Sequence, residues 1–383
     1  MKTAAQRDGR GDDGNGQNDT HLLSPSLLFS AFPTSRRPSW KGNAAGENEF
    51  PGLLSRPYKY YVRLTVMCTP RLISRQTVLR AGLALAATPL LRYAPAHAAA
   101  AEVTEIAPGV FVHQGRYEVQ SPENRGDIAN ASFVVGSEAV AVIDTSGSAV
   151  MGEDLREAIR AMTNKPIKYV INTHMHPDHV LGNAAFKQDD PIFVGHYKLG
   201  RALGSRADSY LTANKQMLGD EAFAGSEIIL PTLGIKEPTT LDLGDRELLL
   251  EPQATAHTDN DLIVTDTKTD TLFLSDLLFS VHVPTIDGSI KGWLALLEEI
   301  GNRKAARVVP GHGPKTMELP QALEPEQRYL AAIAADVRRQ IAEGKTLAEA
   351  TKTAGFSEKD AWKLFDQYHV RNVTAAFAEL EWE

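Results

Sequence analysis

Three histidines and a carboxylate fall within six positions of this 383-residue chain, in Thr173-His-Met-His-Pro-Asp-His179, although the chain holds only 11 histidines in all. These are the donor types that hold a divalent metal without thiolate. The apolar run at residues 169–171 reads as a strand, so the motif falls in the loop at its C-terminal end, where ligands can converge. Pro177 stiffens the turn between His176 and Asp178 and aims two pairs of side chains at two points. Three later segments also place a polar group at the end of an apolar run: Ala-His-Thr-Asp-Asn-Asp at 256–261, Phe-Leu-Ser-Asp276, and Val-Val-Pro-Gly-His312-Gly. They add His257, Asp276 and His312. Six or seven N/O ligands exceed what one tetrahedral zinc uses, so the count predicts two metals.

H-x-H-x-D-H, then a lone His, then an Asp after a strand, then Gly-His: this order resembles the metallo-β-lactamase-fold hydrolase superfamily, over roughly residues 103–316. The resemblance implies an α/β fold, a four-layer αβ/βα sandwich of two sheets with helices outside. It implies two zinc ions per chain, the first on His174, His176 and His257, the second on Asp178, His179 and His312, with Asp276 bridging and Asp178 counted also as catalytic. Asp144, after the strand-like 139–143, matches the family's carboxylate that orients a ligand histidine. The implied reaction is attack of a metal-bridging hydroxide on a carbonyl of a small β-lactam, ester or thioester. THMHPDHVLGN, VPGHGP and YHVRNVTAAFAELEWE are further similar to exported zinc metallohydrolases associated with quinoprotein and sulfur-oxidation systems.

Composition excludes competing classes. The single cysteine, Cys68, rules out a disulfide scaffold, a Cys-rich zinc ribbon and a multi-thiolate iron–sulfur cluster. Residues 1–98 hold 13 Lys/Arg against 6 Asp/Glu, so the remaining 285 residues hold 27 against 42, a net of −15. A body that acidic has no generic electrostatic reason to bind nucleic acid.

The front end divides in two. Residues 1–66 mix Gly, Asn, Asp, Ser and Pro without periodicity and read as disordered or as an upstream extension, with Met67 the expected start. Residues 67–98 have the parts of an export signal: Arg71, Arg75 and Arg80, the apolar 81–91, and Ala-His-Ala at 96–98. Eleven apolar residues are too few to span a bilayer. Ser74-Arg-Gln-Thr-Val-Leu-Arg80 resembles the twin-arginine motif with Gln76 in place of the second Arg, and both the Sec and twin-arginine routes stay open. A periplasmic or secreted location follows, and removal of the signal leaves no cysteine.

A catalytic domain is expected over 99–320 and a helical extension over 321–383. Strands are predicted at 110–113, 132–135, 139–143, 169–171, 192–194, 248–250, 262–264, 272–274 and 308–309. Helices are predicted at 152–162, 209–218 and 292–300. In the extension, Leu330, Ile333, Ala334, Val337 and Ile341 share a helical face stopped by Gly344, and Thr346 with Glu349 and Ser357 with Asp360 have capping-box spacing. His113 and His369 read as structural, and His196 as a core or supporting residue. His282, Lys291 and Trp293 form either a substrate-facing loop or one packed on the body.

The leading expectation is a dinuclear zinc hydrolase, with β-lactam hydrolysis the first activity to test. An iron-dependent sulfur dioxygenase and a non-catalytic periplasmic metal-binding accessory protein are the alternatives. A small-molecule substrate and no membrane span are expected, and protein partners are unknown.

Overall fold

The computed structural model describes residues 100–383. The expected extension at 1–66 and signal at 67–98 lie outside the described residues. Strands β1 (Val103–Ala107), β2 (Val110–His113), β3 (Ala131–Val135), β4 (Val140–Ile143), β5 (Ile167–Asn172), β6 (Ile192–His196) and β7 (Leu233–Ile235) lie side by side in chain order. A second sheet has the order β12-β11-β10-β9-β8, from β8 (Thr239–Asp242), β9 (Glu247–Pro252), β10 (Leu262–Asp266), β11 (Thr271–Phe279) and β12 (Arg307–His312).

Pairing changes from antiparallel to parallel at β4 in the first sheet and at β11 in the second. Parallel neighbours need crossovers, and helices supply them. Helix α1 (Ala149–Met162) joins β4 to β5. Short helices α2 (Pro177–Val180) and α3 (Asn183–Phe186) follow β5, α4 (Leu199–Ala222) follows β6, and α5 (Ile290–Gly301) joins β11 to β12.

The period of two in β4 shows how the layers stack. Ala141 and Ile143 face Leu248, Val264 and Phe273 of the other sheet, whereas Val140 and Val142 pack with Leu155 and Ile159 of α1. On the far side, Ile263 and Leu272 pack with Trp293 and Leu297 of α5 and with Leu330, Ile333 and Val337 of α6 (Glu324–Ala342). Helix, sheet, sheet, helix is the expected α/β sandwich. Helices α7 (Leu347–Ala350) and α8 (Phe365–Leu380) complete the chain.

Several local readings change. The helix expected at 209–218 begins at Leu199, because Leu199, Ala202 and Leu203 bury against Met175 and Val180. Strands β1, β7 and β8 had no clear apolar run, being short and carrying Glu105, Gly234 and Thr240. Thr346 and Glu349 form the reciprocal cap, but Ser357 does not: Gly355 leads into a 3-10 turn at φ +71°, with no side-chain cap. No helix among the described residues is long and apolar enough to cross a membrane.

Candidate metal centre

The seven expected ligands converge from four parts of the chain. β5 ends at Asn172, and the motif turns into α2 with Pro177 at its first position, which puts His174 and His176 before the turn and Asp178 and His179 within it. His257 lies between β9 and β10, and His312 is the last residue of β12. Asp276 was expected at a strand end but sits inside β11. The β11–β12 register slips at Ser275, whose φ is +47°, and this irregularity aims Asp276 at the cluster. Gly311 lies against it, where a methyl group would overlap Asp276 Oδ1.

Two groups result. His174, His176, His257 and Asp276 form one, and Asp178, His179 and His312 the other; within each, the ligand atoms lie within 4.8 Å of one another. The hydrogen bonds show what those atoms are. His176 Nε2–H donates to Asp287 (3.0 Å), His179 Nδ1–H to Asp144 (2.9 Å), and His257 and His312 Nδ1–H to the carbonyls of Thr285 and Ile128 (both 2.8 Å). The Thr173 hydroxyl gives its hydrogen to Asp144, so it accepts from His174 Nδ1–H at 3.1 Å. Each neutral imidazole has one N–H, and each spends it outward. The inward nitrogens of His174, His176 and His257 are therefore bare when those rings are neutral, with His176 Nδ1 only 2.9 Å from His257 Nε2 and 3.1 Å from His174 Nε2.

Lone pairs at that distance repel unless a cation lies between them. Donors on a tetrahedral zinc stand roughly 3.3 Å apart. Asp276 faces His179, His257, His312 and His174 at 3.1, 3.4, 3.5 and 3.6 Å. Buried His179 Nε2 and Asp276 Oδ1 have no hydrogen-bond partner. The residues present fit a metal centre without thiolate.

Residues 124–312 match the Metallo-beta-lactamase superfamily. The chain carries a metallo-beta-lactamase superfamily domain. A metallo-beta-lactamase from Pontibacter korlensis is similar in structure at TM-score 0.49 and 21% identity, covering 60% of this chain and 98% of that one. One from Hirschia baltica is similar at TM-score 0.46 and 18% identity, covering 60% and 97%. A linear primary-alkylsulfatase from Pseudomonas sp. is 31% identical over 67 residues, a stretch that spans 18% of this chain and 13% of that enzyme.

The proton distribution in the metallo-beta-lactamase domain follows from burial against charge. Burial holds His257 down to about 3 despite Asp276, and pushes His174 well below the usual range. Burial opposes charge at His312 too, but Asp276 and Asp178 outweigh it and raise that imidazole to about 9. His179 is likewise raised, against burial, by Asp276, Asp144 and Asp178. A bound cation must displace those protons. Zinc uptake at neutral pH is expected to release a proton from each of His179 and His312 and none from His174 or His257. Apparent affinity then rises with pH across the neutral range, through the titration of His312 at about 9. Calorimetry in buffers of different ionisation enthalpy measures this, and uptake without proton release contradicts it.

A cavity of about 590 Å³ opens onto the cluster. Arg206, Tyr210 and Met217 of α4 line one wall, and Tyr368 and Arg371 of α8 line another, with Phe279 and His282 beside His312. His282 thus faces the cavity, its ring 5.0 Å from that of His312. Trp293 is fully buried with its ring 5.2 Å from that of His257, and Lys291 points away to Glu383. His196 caps Lys198 N, His113 binds Asp127, and His369 binds Tyr329 and Ala354, all away from the cluster. Asp287, Thr285, Tyr210, Tyr368 and the two arginines were not singled out from sequence. Tyr368 and Arg371 open the stretch YHVRNVTAAFAELEWE, and the others belong to segments with no motif.

Proposed function

We propose that this chain is an exported, dinuclear zinc-dependent hydrolase that cleaves an ester, thioester or β-lactam of a small molecule. The observation that carries the reading is the set of five imidazoles that each donate outward through one nitrogen and turn the other on a cluster with two carboxylates. His174, His176 and His257 would hold the first ion, Asp178, His179 and His312 the second, and Asp276 would serve both. When bound, the two ions supply Lewis acidity for the carbonyl and lower the pKa of the attacking water.

The protein side of the reaction is positioning. Asp178 lines the cavity and lies 3.3 Å from His312, where its carboxylate can orient the water. Burial raises the phenols of Tyr210 and Tyr368 to about 12, so both remain hydrogen-bond donors toward a substrate oxygen. Met217 and Phe279 give the cavity an apolar wall, and Arg206 and Arg371 add positive charge. Those arginines, with the stretch shared with an alkylsulfatase, favour a sulfate ester as the second reading.

Metal analysis of protein from its native host, with a panel of nitrocefin, aryl esters, an acyl thioester and an alkyl sulfate, tests the proposal. Two zinc ions and turnover of one class are expected, with His176→Ala losing metal and lowering turnover more than about 100-fold. Full activity of that variant with unchanged metal overturns the assignment. A single redox-active iron points to the dioxygenase, and tight metal without turnover to the accessory protein.

A further inference from the structure

We propose that the C-terminal helix α8 is a positioning element for the first metal site, with Asn372 as its central grip. The inference rests on the metal reading above. His257 and His176 are oriented by the carbonyl of Thr285 and the carboxylate of Asp287, which lie in the irregular segment 280–289 after β11. That segment has no ladder of its own; Asp287 N and Ser289 N donate to the carbonyls of His257 and Ala256 at 3.0 and 2.8 Å, and the chain beyond residue 360 supplies the rest of its hold.

Lys363 pairs by backbone in both directions, accepting from Val283 N (3.0 Å) and donating to Val281 O (2.8 Å). Asn372, fully buried, accepts from Ile286 N at 2.9 Å and donates to Pro284 O at 2.6 Å. Its two bonds bracket Thr285, one residue to either side. Arg371 reaches Asp287 Oδ1 at 3.4 Å, while Asp287 Oδ2 accepts from His176. Glu379 closes the segment by accepting from Ser289 Oγ (2.6 Å) and Ile290 N (2.8 Å).

The second group meets this segment only through its start, where Ser280 N donates to His312 O at 2.7 Å and the His282 ring lies 5.0 Å from those of both His312 and Tyr368; the bonds that orient its ring nitrogens run elsewhere. His179 and His312 are oriented by Asp144, just after β4, and by the carbonyl of Ile128, just before β3, and none of the α8 bonds above reaches either. Loosening Asn372 therefore moves the supports of His257 and His176 and leaves those of His179 and His312 in place. Outer partners of ligand histidines change metal affinity when they are removed.

The test is zinc titration of the full chain by chelator competition, with thermal denaturation of the same samples. Asn372→Ala is expected to weaken one of the two ions by about tenfold and spare the other. Arg371→Met, at a half-exposed position, is expected to weaken the same ion to a smaller extent. Val373→Ala, next to Asn372 on the same helix, is the control: its side chain is fully buried in the apolar core, so it should lower the melting temperature without changing either affinity. Wild-type affinity for both ions in Asn372→Ala and Arg371→Met overturns the proposal. So does equal weakening by Asn372→Ala and Val373→Ala, which is the mark of a merely structural helix. A wild-type chain that takes up no zinc refutes the metal reading itself, a distinguishable failure.

Discussion

Asp276→Asn is expected to empty both metal sites and to lower hydrolysis by about 10³-fold or more, roughly 4 kcal/mol of lost transition-state stabilisation. The reason is one carboxylate facing four imidazoles, at 3.1 to 3.6 Å, with 3% of its surface exposed. No other acid can replace it, since Asp178 reaches only His179 and His312. The substitution removes the charge that both ions would share. It also turns amide hydrogens toward nitrogens that must stay bare, and the space beside Gly311 is too tight for the side chain to swing away. Shape and volume are kept, so the fold should survive. Metal analysis after dialysis, read with circular dichroism, checks this, and a folded variant that keeps two ions contradicts it.

What the sequence made legible was local or ordered. The β4 run alternates between two cores, and the cluster from His174 to His179 declares its chemistry by density alone. His257 and His312 were legible only through their order after the first motif. Asp276 joins the cluster, but from inside β11 and not from the expected strand end; a register slip inside a strand leaves no mark in an apolar run. Apart from Asp144, the partners that orient these histidines were not legible. His176 finds Asp287 across 111 positions and His312 finds Ile128 across 184, and neither partner sits in any pattern of its own. The C-terminal extension showed its apolar face and one of its caps. It gave no sign that Tyr368 and Arg371 would wall the cavity, because that depends on how α8 packs over the segment after β11.

Asp144 is the one such support that was expected, and its geometry makes the second large prediction. It follows β4 in a left-handed conformation, φ +56°, and is 2% exposed. Its Oδ1 accepts Thr173 N–H at 2.8 Å; its Oδ2 accepts from Thr173 Oγ1, Ser275 Oγ and His179 Nδ1 at 2.7, 2.9 and 2.9 Å. One carboxylate thus ties together the segments that carry His174, Asp276 and His179. Asp144→Ala leaves those donors buried without an acceptor, at about 1–3 kcal/mol each where water cannot enter. A loss of about 3–5 kcal/mol is expected, a large share of a normal domain's stability. Asp144→Asn separates folding from metal binding. A backbone N–H cannot reverse, so the amide oxygen must take the Oδ1 position and the amide nitrogen the Oδ2 position. The two hydroxyls can rotate to accept from it, but His179 Nδ1–H cannot. That ring must then carry its hydrogen on Nε2 and turn an N–H, not a lone pair, on the cluster. Asp144→Asn should therefore melt well above Asp144→Ala without zinc, bind the second ion about 10- to 100-fold more weakly than wild type, and gain less than wild type in melting temperature when zinc is added. Equal zinc affinity in the Asn variant and the wild type would show that His179 does not depend on Asp144 for its tautomer.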